Sequence, residues 1–548
     1  MKKNFCGQNQ LLKFLGVLFI IFYLGACSCE NATDTSPPYQ SSDDDSGDDD
    51  SGYSDDSNSE EDDSANLAAP KFSIISALPD VEVTVSDPPL GNLLAREIQI
   101  VANRPCSLSG YLTDELEPGK GFSRPIATPI DTKHSLWFFG LLEDRKYEFT
   151  IHLANHPTAI VKTGEFYTPK LPQWAPKPMN MIDTGEAARD QWIALEAMVL
   201  KFGDPFLEYA GVALILDREG RIRFLHEMSN PMDGLGHFLE GIRILKNGDI
   251  VMSDRSDLVA ASLYGTDYKL FDVQLNQPYL IPTHHIFYVH EDAPAYAMVL
   301  FNRFGPGFEC DQVTPTLKAV GDGVAEIDAN GVEQWRWTVF DHLDKIPPSD
   351  MNTWNCIHNG AFWGFGTYDW THANTVAPIP DQNAFLISFR NISRIVKVDR
   401  STGEIIWQLG KDLDFQWIGD EPEQDRWPLF QHDPHWLGDN HLLLFDNGNC
   451  RYQENCDTGP WSRALELEVD EENMTAQIMW EHRVPFSAAR GGVERLENGN
   501  TLICTGIGSL LIEVTPDHRE IWKIGYLILP RLAWAKSYPA LWDYNAAQ

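Results

Sequence analysis

The stretch FQHDPHW, residues 430–436, places two histidines three residues apart among aromatics, with Asp433 between them. An imidazole changes charge near neutral pH and serves as nucleophile, general base or metal ligand. His432 has company. His237, His285, His372 and His432 each fall at the start of a short β-patterned run that recurs along the chain, although the outermost two are 195 residues apart (432 − 237). Arg490 falls near the same point of the last run, and HANT and FRN bring Asn374 and Arg390 to the neighbourhood of His372. A core can fill such positions more cheaply with apolar side chains, because buried polar groups need partners. Four in register therefore point to a shared site. Imidazoles alone would suit a metal, but a fixed guanidinium disfavours a cation and favours an anion. The chemistry suggested is an anionic substrate met by a nucleophilic or proton-transferring imidazole, with no metal and no cofactor.

The elements that must position these residues repeat. Residues 372–410 read as strand, turn at PDQN, strand, strand, turn at RSTGE, strand. Four antiparallel strands in about forty residues make one blade of a propeller. The second hairpin recurs as LILDREGRIRFLHEM, AEIDANGVEQWRWTV, LELEVDEENMTAQIMWEHR and IEVTPDHREIWKIGY, with a tryptophan close behind most turns: Trp335, Trp407, Trp480 and Trp522. About six blades fit into 171–548, and no long amphipathic helix interrupts them. The innermost strand of each blade lines the central channel, so the four histidines are expected at one end of it. His435, three residues along the strand, is expected on the face opposite His432. Before the repeats, 69–170 carries short β-rich runs such as VEVTVSD and YEFTIHL and reads as a small β-sandwich. KLPQWAPKP reads as a linker.

The first 68 residues need not fold. Lysines precede the apolar run LGVLFIIFYLGAC, which reads as a secretory signal over 1–26. Its LGAC ending resembles the bacterial lipobox, with lipid on Cys27, and Ser28 after it resembles outer-membrane sorting. Residues 27–68 form an acidic tether that contains SSDDDSGDDDSGYSDDSNSEEDDS, whose twelve carboxylates contribute to a net charge of −38. That composition cannot bury a core, and the acidic balance argues against a nucleic-acid partner. In an exported chain the cysteines left after Cys6 and Cys27 are free to pair. Cys450 and Cys456 are close enough to staple one loop, and Cys310 and Cys356 are a second possible pair.

DWTHANTVAPIPDQNAFLISFRNISRIVKVD, followed by QHDPHW and LLLFDNGN, resembles the bacterial arylsulfate sulfotransferases, which do not use the nucleotide sulfate donor. The resemblance covers about 70–548 and implies an all-β fold, an N-terminal sandwich before a six-bladed propeller. It implies that His432, at the QH position, is transiently sulfated. His372 and Asn374 correspond to the HxN motif, Arg390 to SxR, and His285, or less well His284, to an HH motif. A family loop disulfide resembles Cys450 with Cys456. The sequence departs from the pattern at DPHW after His432 and at FRN, where the family form ends in His. In this reading Arg390, Asn374 and His285 hold the sulfuryl oxygens, and His372 passes a proton to the departing phenolate and takes one from the incoming phenol. His237 and Arg490 would add substrate contacts. The partners implied are an aryl sulfate donor and a phenolic acceptor, with the membrane met only through the lipid. Two other classes stay open: a non-catalytic cell-surface propeller, and a sulfate or phosphate ester hydrolase.

Overall fold

A computed structural model describes residues between 78 and 539. Residues 1–77 and 540–548 lie outside the description, as do internal stretches, the longest being 114–122, 228–238, 273–279, 344–366 and 453–458. Over 252–318 only the backbone is described. Cys27, the tether, His237, Cys356 and Cys456 therefore fall outside it. The described structure belongs to one compact unit, 75–548.

The chain is all-β. Val81–Val85, Arg96–Cys106 and Asp131–Phe138 form one three-stranded antiparallel sheet, and Leu108–Thr113, Lys146–Leu153 and His156–Tyr167 form another. Arg96–Cys106 buries Ile98, Ile100 and Ala102 and exposes the residues between them, the period of two that a strand imposes. Six larger sheets follow, taken here as blades one to six. Blade one is Gln191–Phe202, Leu207–Leu216 and Ile222–Glu227, with the C-terminal strand Arg531–Pro539 along its inner edge. Blades two to six begin at Leu239–Ile244, Leu280–His290, Ala373–Pro378, His432–Gly438 and Gly492–Arg495. Each of these inner strands touches the next, and the sixth touches Arg531–Pro539, so the ring returns to its start. At the outer edge, Pro178–Asp183 pairs with Glu520–Tyr526 of blade six.

A side-chain staple repeats round this ring. Trp337 Nε1–H donates to the Gly403 carbonyl at 2.9 Å, Trp407 to Glu471 Oε1 at 2.7 Å, Trp480 to the Pro516 carbonyl at 3.1 Å and Trp522 to the Arg218 carbonyl at 2.6 Å. In each case the indole of one blade reaches the outer hairpin turn of the next, and the last bond crosses from blade six to blade one. The indole suits this role because its body is apolar and its one polar atom is a donor at the rim. In blade three the stapling residue is Trp337, while the expected Trp335 packs edge-on against Phe385. The turns that receive the staples are themselves ordered. In three of them Asp217, Asp399 and Asp470 each accept two backbone N–H groups from the residues that follow, as Asp328 does in blade three, which is how a short carboxylate fixes a turn.

The segment expected as a linker is packed. Leu171 and Trp174 lie against a core cluster that joins Ile98, Leu136 and Phe149 of the sandwich to Leu195, Leu214 and Trp522 of the blades. Arg223 Nη1 also donates to the Gly140 carbonyl across this junction, at 3.0 Å.

Candidate active site

Blades four, five and six bring their chemistry together where the inner strands begin. The backbone there departs from regular geometry. His372, Phe430, Asp433 and Arg490 all have left-handed φ, between 51° and 62°. Non-glycine residues seldom adopt that region, and clusters of them gather at functional sites. The inner strands of blades one to five each carry a register shift, among them those between Ala373 and Thr375 and between His432 and His435. Such bulges re-aim side chains at the rims of sheets.

His432 is buried. Its Nδ1 lies 2.7 Å from Asn447 Oδ1 and 3.2 Å from the Phe430 carbonyl. The Asn447 amide cannot be turned round, because its Nδ2 donates to the carbonyls of Ser487 and Arg490, each at 2.9 Å. Both groups that face Nδ1 are acceptors, so Nδ1 carries the proton. Nε2 then holds the lone pair, and it accepts the Arg490 backbone N–H at 3.2 Å. Burial and the positive charge of Arg390 push the His432 pKa down to about 3, against the Asn447 hydrogen bond, and His372 adds to the lowering. His432 is thus a neutral imidazole of one fixed tautomer.

His372 has a different partner. Its Nδ1 lies 2.5 Å from Asp369 Oδ2, and 22% of its side chain is exposed. Asp369 is buried. Beside it Asp322 is pushed up to about 7 by burial and by the charge of Asp369. Asp322 accepts Thr371 Oγ1 and the Ala373 N–H, which fixes the backbone on both sides of His372. A carboxylate behind a partly exposed imidazole is an arrangement for proton transfer. Arg390 occupies the turn after Ala384–Phe389. Its backbone N–H donates to the His372 carbonyl, its Nη1 to Asn391 and its Nη2 to the Ala488 carbonyl, each near 3 Å. Its guanidinium lies 4.8 Å from the centre of the Phe430 ring. Asn374 donates from Nδ2 to the Gln431 carbonyl at 2.7 Å, so it ties blade four to the residue just before His432.

The residues read from sequence distribute as follows. His432, His372, Arg390 and Asn374 come together with Arg490. Arg490 meets His432 through its backbone amide, while burial lowers the pKa of its guanidinium against the opposing charge of Glu196. His285 lies inside the strand Leu280–His290, five residues from its start, and its side chain is outside the description, as is that of His284. His435 corrects the expectation of an opposite face. His432 pairs with Phe445 and His435 with Leu443, two residues apart on the partner strand, because the bulge absorbs one residue. Both histidines therefore belong to one side of the strand. Trp370 and Trp427 are buried in core clusters, Trp436 packs against the second of these, and Phe430 is an aromatic at the site. Cys106 and Cys504 are free thiols.

Three contributors were missed. Asp369 stood in the quoted DWTH, and Asn447 in DNGN, but neither had an assigned role. The third is the turn Ser487–Arg490, whose carbonyls accept from Arg390, Asn447 and Asn449 and whose Arg490 amide donates to His432 Nε2. The glycines after it, in ARGG, were its only signal. A Cβ on Gly492 would stand 2.8 Å from the Asp433 carboxylate and 2.6 Å from Trp534, so only glycine permits this approach.

Comparison with known proteins points to a family. The model of a family described as arylsulfotransferase (ASST) matches residues 195–534. No curated protein matches the chain. Among solved structures, a protein of unknown function from Bacteroides caccae is 10% identical, with a TM-score of 0.38, and the match covers 64% of this chain and 100% of that one. A virginiamycin B lyase from Staphylococcus aureus is 12% identical, TM-score 0.29, covering 54% and 73%. A putative 6-phosphogluconolactonase from Bacteroides fragilis is 10% identical, TM-score 0.32, covering 80% and 98%. These structural likenesses carry no argument about chemistry.

Proposed function

From the premise that the chain belongs to the arylsulfotransferase family, we propose that it moves a sulfuryl group from an aryl sulfate ester to a phenol through a sulfohistidine at His432 Nε2. The observation that carries this reading is the fixed tautomer, which aims a lone pair from a buried neutral imidazole. In the first half-reaction the Nε2 lone pair attacks sulfur and the S–O(aryl) bond breaks. Its electron pair leaves on the phenolate oxygen, which takes a proton from His372. In the second, a phenol returns its proton to His372, its oxygen attacks sulfur, and the S–N bond breaks to restore the lone pair. One histidine serves as acid and then as base, so donor and acceptor use one pocket in turn.

Arg390 has two effects of one origin. Its charge opposes an imidazolium at His432 and favours a sulfate in the same place. Asn374 acts through Gln431 to hold the strand entry. The Arg490 amide caps Nε2 in the resting state, so it must give way as sulfur arrives, which leaves its N–H beside the sulfuryl oxygens. The exported-lipoprotein reading of Cys27 and the Cys450–Cys456 pairing belong to the same proposal, with the site facing the periplasm or the cell surface.

The test is incubation with a chromogenic aryl sulfate with and without a phenol. Phenol-dependent release of the chromophore, with the second phenol recovered as its sulfate, supports transfer. Equal release without acceptor would make the protein a hydrolase, and no release in either case would leave a binding propeller.

A further inference from the structure

The two site histidines have orienting partners of opposite kind. Asp369, a carboxylate, stands behind His372, and Asn447, an amide held by two carbonyls, stands behind His432. A carboxylate accepts a hydrogen bond and can also take the proton. An amide oxygen accepts the bond but does not take the proton. This difference bears on the covalent state. When neutral His432 attacks through Nε2, the product is an N-sulfoimidazolium that still carries its Nδ1 proton.

We propose that Asn447 is the positioning residue that keeps this intermediate labile, because its amide holds the Nδ1 proton on the ring and so lets His432 leave as a neutral imidazole. The inference rests on the sulfohistidine reading above. With a carboxylate in that position the proton would move to the carboxylate, and the ring would become a neutral N-sulfoimidazole. Its departure would then require either an imidazolide or return of the proton, and the second half-reaction would stall. No other reactant enters: the S–N bond breaks, its electron pair returns to Nε2, and the sulfuryl group joins the phenol oxygen. The surroundings agree with a role beyond packing. Asp446, next in the chain, is buried with Arg451 and Arg463 on its carboxylate and takes the N–H of Leu429 and Gly448, so the DNGN turn is fixed before Asn447 is placed.

The experiment compares wild type with Asn447→Asp and Asn447→Ser in two half-reactions. The sulfuryl adduct is first formed with an aryl sulfate alone and followed by intact mass, and then discharged with a phenol. Asn447→Asp is expected to form the adduct and to discharge it at least about tenfold more slowly than wild type. Asn447→Ser cannot take the proton and is expected to lose rate without prolonging the adduct. Adduct lifetimes in the Asp variant that equal wild type, or that are prolonged equally in both variants, overturn the proposal. The Asp variant places a carboxylate against two carbonyls and risks local rearrangement, so a second measurement uses the wild-type chain. The ¹⁵N-histidine spectrum of the sulfated protein, assigned by its difference from His432→Ala, should show Nδ1 protonated, and an unprotonated Nδ1 overturns the proposal by itself. If no adduct forms on His432 in wild type, the reaction reading fails first and takes this inference with it.

Discussion

At the scale of single residues, the site depends on what stands behind each imidazole. Asp369→Asn keeps the shape of the His372 partner and removes its charge. Loss of proton transfer should lower kcat roughly 100- to 10,000-fold, and less for donors whose phenols are acidic enough to leave unaided. An equal loss for every leaving group would mean that Asp369 only packs. His432 also has a signature in stability. Its folded pKa is about 3 and its unfolded value is about 6.5. Between these the unfolded chain binds a proton that the folded chain refuses, so acid favours unfolding over that window and the effect is absent above it. His432→Ala should therefore lose stability less steeply than wild type from about pH 6.5 towards 3, measured by urea melts at several pH values. Parallel curves would contradict the buried neutral imidazole. The nearness of His432 and His372 was legible because histidine recurs at one point of a repeat, and that of Arg390 because FRN ends the next strand of the same blade. Asp369 and Asn447 were not legible because an orienting role depends on distance to another side chain. The His435 expectation failed because alternation counts residues, and a bulge at Asp433 spends one without advancing the register.

At the scale of elements, hairpins were readable and their junctions were not. The strands read at 372–410 are Ala373–Pro378, Ala384–Phe389, Arg394–Asp399 and Ile405–Leu409, because turn residues and β-branched runs are local signals. The tryptophan staple was visible as a recurring residue but not as a bond, since donor and acceptor lie in different blades. Trp522→Phe keeps the ring and leaves the Arg218 carbonyl without its 2.6 Å donor. The expected cost is roughly 1–3 kcal/mol, the penalty for an unsatisfied buried group. A urea midpoint unchanged from wild type would show that the staple contributes nothing. The left-handed residues His372, Phe430, Asp433 and Arg490 are an element-scale feature as well. Strain of this kind persists only where the surroundings over-determine it, and here the cross-blade bonds of Asn374, Arg390 and Asn447 do so.

At the scale of the whole molecule, the ring is tied at both edges by distant segments, Arg531–Pro539 inside and Pro178–Asp183 outside. Blade one thus takes its inner strand from the end of the repeat region and blade six its outer strand from the beginning, and the turn Ser487–Arg490 leads into blade six. The sandwich shares a core with blades one and six, a junction that composition could not show, because the same apolar side chains serve either domain. The tether is a different matter. Twelve of the chain's carboxylates lie in one run without a basic residue, a composition expected to add reach rather than a core. Deleting residues 28–68 should leave both the melting temperature and the transfer rate in solution unchanged, and a large drop in either would give the tether a structural role.

The central claim is that one nitrogen carries the sulfuryl group between donor and acceptor. Its most direct test is to load the wild-type protein with a chromogenic aryl sulfate in the absence of phenol, digest it, and locate the added group by fragmentation. The group is expected on His432, with loss of the adduct when phenol is added and an at least about thousandfold loss of transfer in His432→Ala. A sulfated residue mapped to His435, His372 or elsewhere, or full turnover by His432→Ala, would contradict it.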